Sequence, residues 1–228
     1  MAHFEIEIKS LLGKKEAADS LKEKILQAFP DAHPGKKESQ LNHYFTGGDT
    51  EKAKLAVDVA PLFSQEQQES LKTVLLKGKN HSIRTRQTDD AVLLVVKASV
   101  ADDGTSSNGV SRMEFESPVK NLTLDELDHI LLDAGLTYQA KWSRAREEYV
   151  FGDTTVCLDK NAGYGYLAEF ERVIDDESQI DGVKKELLEI MNQLGVEELS
   201  QDRLERMFAH YNAHWDEYYG TDNVFVVE

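Results

Sequence analysis

Charged residues of like sign recur at alternate positions in several short segments of the sequence. The pattern Glu-x-Glu occurs three times and Arg-x-Arg twice, at Glu5 and Glu7, Glu114 and Glu116, Glu169 and Glu171, Arg84 and Arg86, and Arg144 and Arg146. Side chains two residues apart in a β-strand share a face, so each pattern would place two like charges next to each other. Such charges repel, and a bound metal ion or anion would offset the repulsion.

The two signs of charge suit two different ligands. Carboxylate oxygens are preferred by hard divalent cations such as Mg²⁺ and Mn²⁺. Guanidinium groups stay protonated and bind two phosphate oxygens at once. Further charged residues accompany these patterns on candidate strands, namely Lys9, Lys97, Arg112 and Asp159. Metal and cations together would neutralise charge on a transferring phosphoryl group. For any single strand, an ordinary solvated outer face also explains the alternation.

Apolar residues occupy the intervening positions and predict the strands that carry the charges. They are Ile6, Met113, Phe115, Val156, Leu158 and Phe170. Strands are predicted over residues 3–9, 40–46, 82–88, 91–99, 110–117, 137–151, 154–159 and 165–173. We therefore expect an α+β domain built on an antiparallel sheet or barrel, with the charged faces inside and the apolar faces packed outward under helices.

Apolar residues at helical spacing predict helices between several of the strands. Helices are predicted over about residues 14–29 and 64–76, and a capping box at Thr123 and Glu126 begins another that Gly135 ends. Two more complete the chain, the second capped by Ser200. We expect one domain over residues 1–195, including a peripheral excursion at 49–80. A C-terminal helical extension over 196–228 is expected to pack on the same domain.

Bulk properties narrow the class of protein. The formal net charge is −16, which argues against general nucleic-acid binding because phosphate backbones require a basic surface. No apolar run approaches the roughly 18 residues that a membrane span needs. The lone cysteine, Cys157, excludes an internal disulfide. A cytoplasmic protein that does not bind membranes is therefore expected.

Taken in order, the motifs resemble those of the CYTH superfamily, also called triphosphate tunnel metalloenzymes. The resemblance spans about residues 3–173. It rests on Glu5-x-Glu7-x-Lys9, Arg84-x-Arg86, Lys97, Arg112-x-Glu114-x-Glu116, Arg144-x-Arg146-x-x-Tyr149, Asp159, Gly165 and Glu169-x-Glu171. It implies an eight-stranded antiparallel β-barrel that forms a tunnel, with helices packed outside.

The resemblance also implies roles for the charged residues. The metal ligands would be Glu5, Glu7, Asp159, Glu169 and Glu171, and Glu114 and Glu116 would complete that site or hold a second ion. The phosphates would be bound by Lys9, Arg84, Arg86, Lys97, Arg112, Arg144 and Arg146. Catalysis would depend most on Glu7, Lys9, Lys97 and Glu171, with Mg²⁺ or Mn²⁺ as the cofactor.

Several activities remain compatible with this family resemblance. The first is hydrolysis of inorganic triphosphate or a related organic triphosphate. The alternative is a class IV-like adenylate cyclase, which makes cyclic AMP and pyrophosphate from ATP. The third is a non-catalytic module that binds polyphosphate or a nucleotide. The excursion and the C-terminal helices would cap one mouth of the tunnel or form an oligomer interface, so monomer and homodimer both stay open.

Two smaller signals have competing explanations. Trp142, near Arg144, either stacks on an aromatic ring of a substrate or packs beneath a helix, and packing is favoured. His210 and His214 have the spacing of a zinc pair on a helix, but no third ligand is evident. Solvated histidines that flank an aromatic stripe are therefore the preferred interpretation.

Overall fold

The computed structural model describes residues 4–99 and 112–226, apart from the side chains of Arg112 and Glu177. Eight strands and six α-helices are described, together with short 3₁₀ turns at Ala60–Leu62 and Glu177–Gln179. In chain order they are β1 (Phe4–Gly13), α1 (Lys15–Ala28), β2 (His33–Thr46), α2 (Asp49–Asp58), α3 (Gln65–Lys77), β3 (Lys79–Gln87), β4 (Val92–Ser99), β5 (Arg112–Val119), α4 (Leu124–Asp133), β6 (Thr137–Phe151), β7 (Thr154–Asn161), β8 (Gly165–Ile174), α5 (Ile180–Leu194) and α6 (Gln201–Tyr218).

The strands form one eight-stranded sheet in the order β1-β8-β7-β6-β2-β3-β4-β5. Every pairing whose register is defined is antiparallel. The predicted α+β class and eight-stranded antiparallel sheet are therefore confirmed. The order ends at β1 and β5, so the described strands form an open sheet and not the closed barrel that was predicted.

The described residues divide into two compact units. The first unit holds residues 4–39 and 143–226, and the second unit holds residues 40–99 and 112–142. Strands β2 and β6 contribute to both units, whereas β1, β7 and β8 belong to the first and β3, β4 and β5 to the second. Each unit has a hydrophobic core of its own.

The core of the first unit lies between the apolar face of its strands and helices α1 and α5. Ile6 and Ile8 of β1 are fully buried beside Phe170 of β8. Leu21 and Leu187 pack against them from α1 and α5. The predicted alternation in β1 is therefore confirmed, since Glu5, Glu7 and Lys9, which flank these isoleucines, are only partly buried.

The core of the second unit lies between β3, β4 and β5 and the helices α2, α3 and α4. The capping box predicted at Thr123 is confirmed, since its side chain and that of Glu126 each accept a backbone hydrogen bond. Residues 49–80 are not peripheral, because Leu55 and Leu71 from this stretch are buried in the core. Helices α2 and α3 are short and contain few apolar residues, so the sequence did not indicate that they contribute to the core.

Two further element predictions need correction. Strand β2 begins at His33, although its first half is polar and was not predicted. Pro34 lies at the second residue of the strand, a position that tolerates proline. Helix α6 begins directly after Ser200, but the Ser200 side chain makes no capping hydrogen bond. No helix in the described part of the chain is long and apolar enough to cross a membrane.

Candidate metal and phosphate sites

Three carboxylates meet on adjacent strands of the first unit. Glu7 of β1 pairs directly with Glu171 of β8, so both side chains lie on one face. Glu5 lies two residues before Glu7 on that same face. One carboxylate oxygen from each of the three residues lies within 4.8 Å of the others. The alternation of the sequence and the register of β1 on β8 together create this acidic cluster.

The acidic cluster has the composition of a site for a hard divalent cation. Like charges directly opposite each other on paired strands are destabilising, and a cation between them removes that cost. The cluster offers only carboxylate oxygens, which Mg²⁺, Mn²⁺ and Ca²⁺ prefer to the nitrogen and sulfur ligands that zinc favours. Glu5, Glu7 and Glu171 therefore fit a divalent metal ion of this hard class.

Lys9 lies between this acidic cluster and a second acid. It pairs with Glu169 across β1 and β8, and its Nζ lies 3.6 Å from Glu169 Oε1. The same ammonium group forms an ion pair with Glu7. Lys9 therefore joins the acidic cluster to Glu169 through two ion pairs.

Arg144 and Arg146 of β6 are held by two buried acids. Arg146 donates to both oxygens of Asp159, at 2.8 and 2.7 Å, and also to Glu169. Arg144 donates to Asp159 over 2.9 Å and lies 3.8 Å from Glu169. Asp159 is completely buried. These acids therefore fix the guanidinium plane of Arg146, because its bidentate ion pair with Asp159 restricts orientation as well as distance, and they hold Arg144 through one nitrogen.

Electrostatics keep this network charged. Burial alone would raise the pKa of Glu169, but Arg146, Lys9 and Arg144 hold it well below its usual range. Burial would likewise lower the pKa of Arg146, and the opposing effect of Glu169 and Asp159 raises it well above the ordinary value. Glu169 and Arg146 therefore stay ionised at neutral pH.

Cys157 of β7 lies beside the acidic cluster without the properties of a nucleophile. Burial raises the pKa of its thiol far above the usual range. Its Sγ donates to Glu171 Oε1 over 3.5 Å, a contact that helps to orient this carboxylate. A cavity of about 940 Å³ also opens at Glu171 and is lined in part by Asp153, Thr155 and Arg172. Glu171 is thus one of the residues that line this cavity.

The second unit carries a different arrangement around Arg84 and Arg86 of β3. Arg86 donates from Nε to Asn42 over 2.8 Å and from Nη1 to Glu116 over 3.0 Å. Arg84 donates from Nη1 to the Tyr44 hydroxyl over 2.7 Å. Asn42 and Tyr44 lie on β2 directly opposite the arginine that each one binds. Strand β2 therefore supplies one neutral polar partner to each arginine.

Lys97 of β4 is the other basic side chain of the motif that the structure describes in the second unit. It pairs with Glu114 of β5, and its Nζ lies 3.2 Å from Glu114 Oε2. Arg112 lies at the start of β5 with its backbone paired to Ser99. The side chain of Arg112 lies outside the described part of the structure.

The structure thus groups the predicted site residues differently from the sequence-based scheme. Glu5, Glu7 and Glu171 form the acidic cluster, whereas Asp159 and Glu169 contact arginines instead of joining it. In the second unit, Glu114 and Glu116 each contact a cation, Lys97 and Arg86 respectively.

Sequence reasoning missed Asn42 and Tyr44, which contact Arg86 and Arg84. A signal for them was present, because residues 42 and 44 have the same alternating parity on a predicted strand as the charged pairs. Neither residue is charged, so a search for like charges at alternate positions did not select them.

The structure also shows what surrounds Trp142 and the pair His210 and His214. Trp142 packs edge-on against Tyr44, with ring centroids 6.3 Å apart. His210 and His214 stack on each other at 4.5 Å, and His214 Nδ1 hydrogen-bonds to the His210 carbonyl at 2.8 Å. Both histidines are partly buried and not fully solvated. Within the described residues they form no group of three possible metal ligands.

A protein-family model of the CYTH domain matches residues 72–204, which is more than half of the 228-residue chain. The chain therefore belongs to the CYTH family. The match includes β3 to β8 and thus both arginine pairs and Glu171, whereas β1 lies before it. No curated protein sequence matches this chain significantly.

Several solved structures share the fold. The PH1819 protein of Pyrococcus horikoshii is 20% identical, covers 86% of this chain and 93% of its own, and superposes with a TM-score of 0.59. A conserved hypothetical protein of Pyrococcus furiosus is 17% identical, with coverages of 88% and 99% and a TM-score of 0.59. A protein of Vibrio parahaemolyticus, described as a proposed adenylate cyclase, is 16% identical, with coverages of 90% and 99% and a TM-score of 0.58. These likenesses establish a common fold.

Proposed function

We propose that this protein is a metal-dependent triphosphatase that hydrolyses inorganic triphosphate or a related organic triphosphate. The observation that carries the proposal is the acidic cluster of Glu5, Glu7 and Glu171, with Lys9 ion-paired to one of its members. Membership of the CYTH family, the buried Arg84 and Arg86 of the second unit and the Asp159-bound arginines of the first unit support it.

The acidic cluster would hold Mg²⁺ or Mn²⁺ through its carboxylate oxygens. When bound, the ion would withdraw negative charge from phosphate oxygens and so lower the barrier to phosphoryl transfer. The contact of Cys157 with Glu171 would help to orient this carboxylate for the role, and Glu171 also lines the adjoining cavity. Glu5 and Glu7 approach from the neighbouring strand β1.

The basic residues would bind and orient the phosphates. Lys9 would exchange its contact with Glu7 for a phosphate oxygen. Asp159 and Glu169 would act as second partners that keep Arg144 and Arg146 in a fixed orientation, which reduces the entropy lost on binding. In the second unit, Arg84, Arg86 and Lys97 are likewise proposed to bind phosphate, and Arg112 is assigned to the same role from its position in the motif.

Cyclisation of ATP is the second candidate, favoured by the description of the Vibrio protein of similar fold. Both reactions would use the same acidic cluster and cations. They differ in the attacking group, which is water in the hydrolase and the ribose 3′-hydroxyl in the cyclase, and in the phosphorus atom attacked.

Product analysis separates these activities. Purified protein would be incubated with inorganic triphosphate or with ATP, each with Mg²⁺, Mn²⁺ or EDTA. Release of inorganic phosphate would be measured with malachite green, and cyclic AMP by chromatography. We expect metal-dependent phosphate release from inorganic triphosphate. Formation of cyclic AMP without phosphate release would establish the cyclase instead. Tight binding of both compounds without turnover would establish a non-catalytic binding module.

A further inference from the structure

Arg84 is a buried cation without a carboxylate partner in the part of the chain that the structure describes. Its side chain is about nine-tenths buried, with a relative exposure of 9% for the residue. Its Nε has no hydrogen-bond partner, and its Nη1 donates to the neutral Tyr44 hydroxyl over 2.7 Å. Burial and an unsatisfied donor together are costly for a charged group, so this arrangement suits a site that binds an anion.

The neighbouring Arg86 shows that this lack of a partner is particular to Arg84. Arg86 is equally buried, on the same face of β3, yet two of its nitrogens contact Asn42 and the carboxylate of Glu116. Glu114 and Glu116 act on the charge of Arg84 through the electrostatic field of their carboxylates. Burial opposes the charged form of Arg84, but Tyr44, Glu114 and Glu116 outweigh it and raise the pKa, so Arg84 carries its full charge.

Tyr44 fixes the orientation of this guanidinium in two ways. Its hydroxyl accepts the Nη1 hydrogen bond, and its ring lies 5.3 Å from the central carbon of the guanidinium in a cation–π contact. The ring itself is packed edge-on by Trp142 at 6.3 Å. Tyr44 therefore occupies Nη1 and one face of the guanidinium, while Nε is a buried donor without a hydrogen-bond partner.

We propose that Tyr44 is a positioning residue that holds Arg84 for the phosphate oxygens of the substrate. This inference rests on the proposed function, because it names the residue that prepares one of its phosphate-binding cations. Tyr44 acts through Arg84, so its contribution is to the affinity for the anion and not to the bond that breaks.

The test compares Tyr44→Phe with Tyr138→Phe. Both variants remove one tyrosine hydroxyl from the second unit, but the Tyr138 hydroxyl donates to Asp128 in the core and not to an arginine. Isothermal titration with inorganic triphosphate in EDTA gives the Kd, and phosphate release with Mn²⁺ gives KM and kcat. Thermal melts show whether each variant is folded.

For Tyr44→Phe we expect Kd and KM to rise about tenfold while kcat changes less than about twofold, because a contact made equally in the ground and transition states affects binding alone. In an Arg84→Ala background the same change should have no further effect, since residues that act through one another are non-additive. Tyr138→Phe should lower the melting temperature and leave Kd unchanged.

Two results would overturn the positioning role of Tyr44 alone, and a third would overturn the proposed function as well. An unchanged Kd in folded Tyr44→Phe would overturn the positioning role alone. An equal loss of affinity in the wild-type and Arg84→Ala backgrounds would show that Tyr44 does not act through Arg84. If the unmodified protein fails to bind inorganic triphosphate with or without Mn²⁺, the positioning role and the proposed function are both overturned.

Discussion

The two Arg-x-Arg pairs have the same spacing but different surroundings. In the first unit, Arg144 and Arg146 contact the buried Asp159 and Glu169. In the second unit, Arg84 has a tyrosine hydroxyl as its hydrogen-bond partner and an unsatisfied Nε. The charge of the first pair is thus balanced by the protein, whereas the charge of Arg84 is not paired with a carboxylate among the described residues.

This difference concerns what balances the charge of an arginine that is proposed to bind phosphate. A guanidinium between two carboxylates is part of the folded framework, and losing it would leave buried negative charge without compensation. A guanidinium that leaves one buried donor without a hydrogen-bond partner lacks part of its hydrogen bonding, and an anion that binds this donor would restore it. Substitutions at these arginines and at the acidic cluster of the first unit test this contrast.

The largest effect is expected at the acidic cluster. Glu171→Gln should lower kcat for triphosphate hydrolysis by about a thousandfold, since it removes one negative ligand from a site expected to supply several kcal/mol. The measurement is malachite-green phosphate release with Mn²⁺. Glu189→Gln on the exposed face of α5 is the matched control and should retain the wild-type rate. Full activity in Glu171→Gln would remove Glu171 from the metal site.

A large loss of stability is expected for Arg146→Met. Leaving Asp159 with one arginine and Glu169 with fewer cations should lower the free energy of unfolding by about 3–5 kcal/mol. Urea denaturation followed by circular dichroism measures it. A change below about 1 kcal/mol would contradict the assignment of Arg146 to the folded framework.

Arg84→Met should change stability much less. The substitution removes a buried donor that has no hydrogen-bond partner but also removes the favourable interaction with the field of Glu114 and Glu116, so the free energy of unfolding should change by less than about 1 kcal/mol. The same variant should bind inorganic triphosphate at least about tenfold more weakly, because a charge-assisted contact is lost. Denaturation and calorimetric titration of one preparation provide both values. A loss of stability as large as that expected for Arg146→Met, with unchanged affinity, would contradict the contrast between the two arginine pairs.

The smallest effect concerns the buried acid of the second unit, Asp128. It accepts hydrogen bonds from His43 at 2.6 Å, Thr85 at 2.5 Å and Tyr138 at 2.7 Å, and not from arginine. Burial would raise the pKa of Asp128, but these bonds outweigh it and lower the pKa below its ordinary value. Asp128→Asn should therefore cost about 1–2 kcal/mol at pH 7.

The pH dependence provides a check on the sign of that shift. A carboxyl group with a lowered pKa stabilises the fold fully above its unfolded pKa of about 4, and this contribution is lost as the pH falls further through the folded value. The stability difference between wild type and Asp128→Asn should therefore be constant from pH 7 to 5 and shrink below about pH 4. A difference that grows in acid would contradict the lowered pKa.

Strand content and side-chain parity were predictable from the sequence because both are local. Alternation at residues 4–9 placed Ile6 and Ile8 in the core and Glu5 and Glu7 on the opposite face. The capping box at Thr123 was equally local. Residues 33–39 of β2 were missed because they contain Pro34, Gly35 and consecutive lysines instead of alternating apolar residues.

Partner assignments between distant residues could not be predicted, since they depend on register. Parity places Asp159 and Glu171 on charged faces of their strands, but only the pairing of β6 with β7 brings Asp159 opposite Arg146. Likewise, only the pairing of β1 with β8 brings Glu7 opposite Glu171. The sequence therefore indicated which residues carry the charge but not which carboxylates contact arginine and which form the acidic cluster.

The central claim is that Glu5, Glu7 and Glu171 hold a divalent ion required for hydrolysis of a triphosphate. Its most direct test is phosphate release from inorganic triphosphate by the wild-type protein during titration with Mn²⁺ after removal of metal with EDTA. We expect no phosphate release in EDTA and a saturable rise in the rate of release as Mn²⁺ is added. A rate of hydrolysis in EDTA equal to that with Mn²⁺ would contradict it.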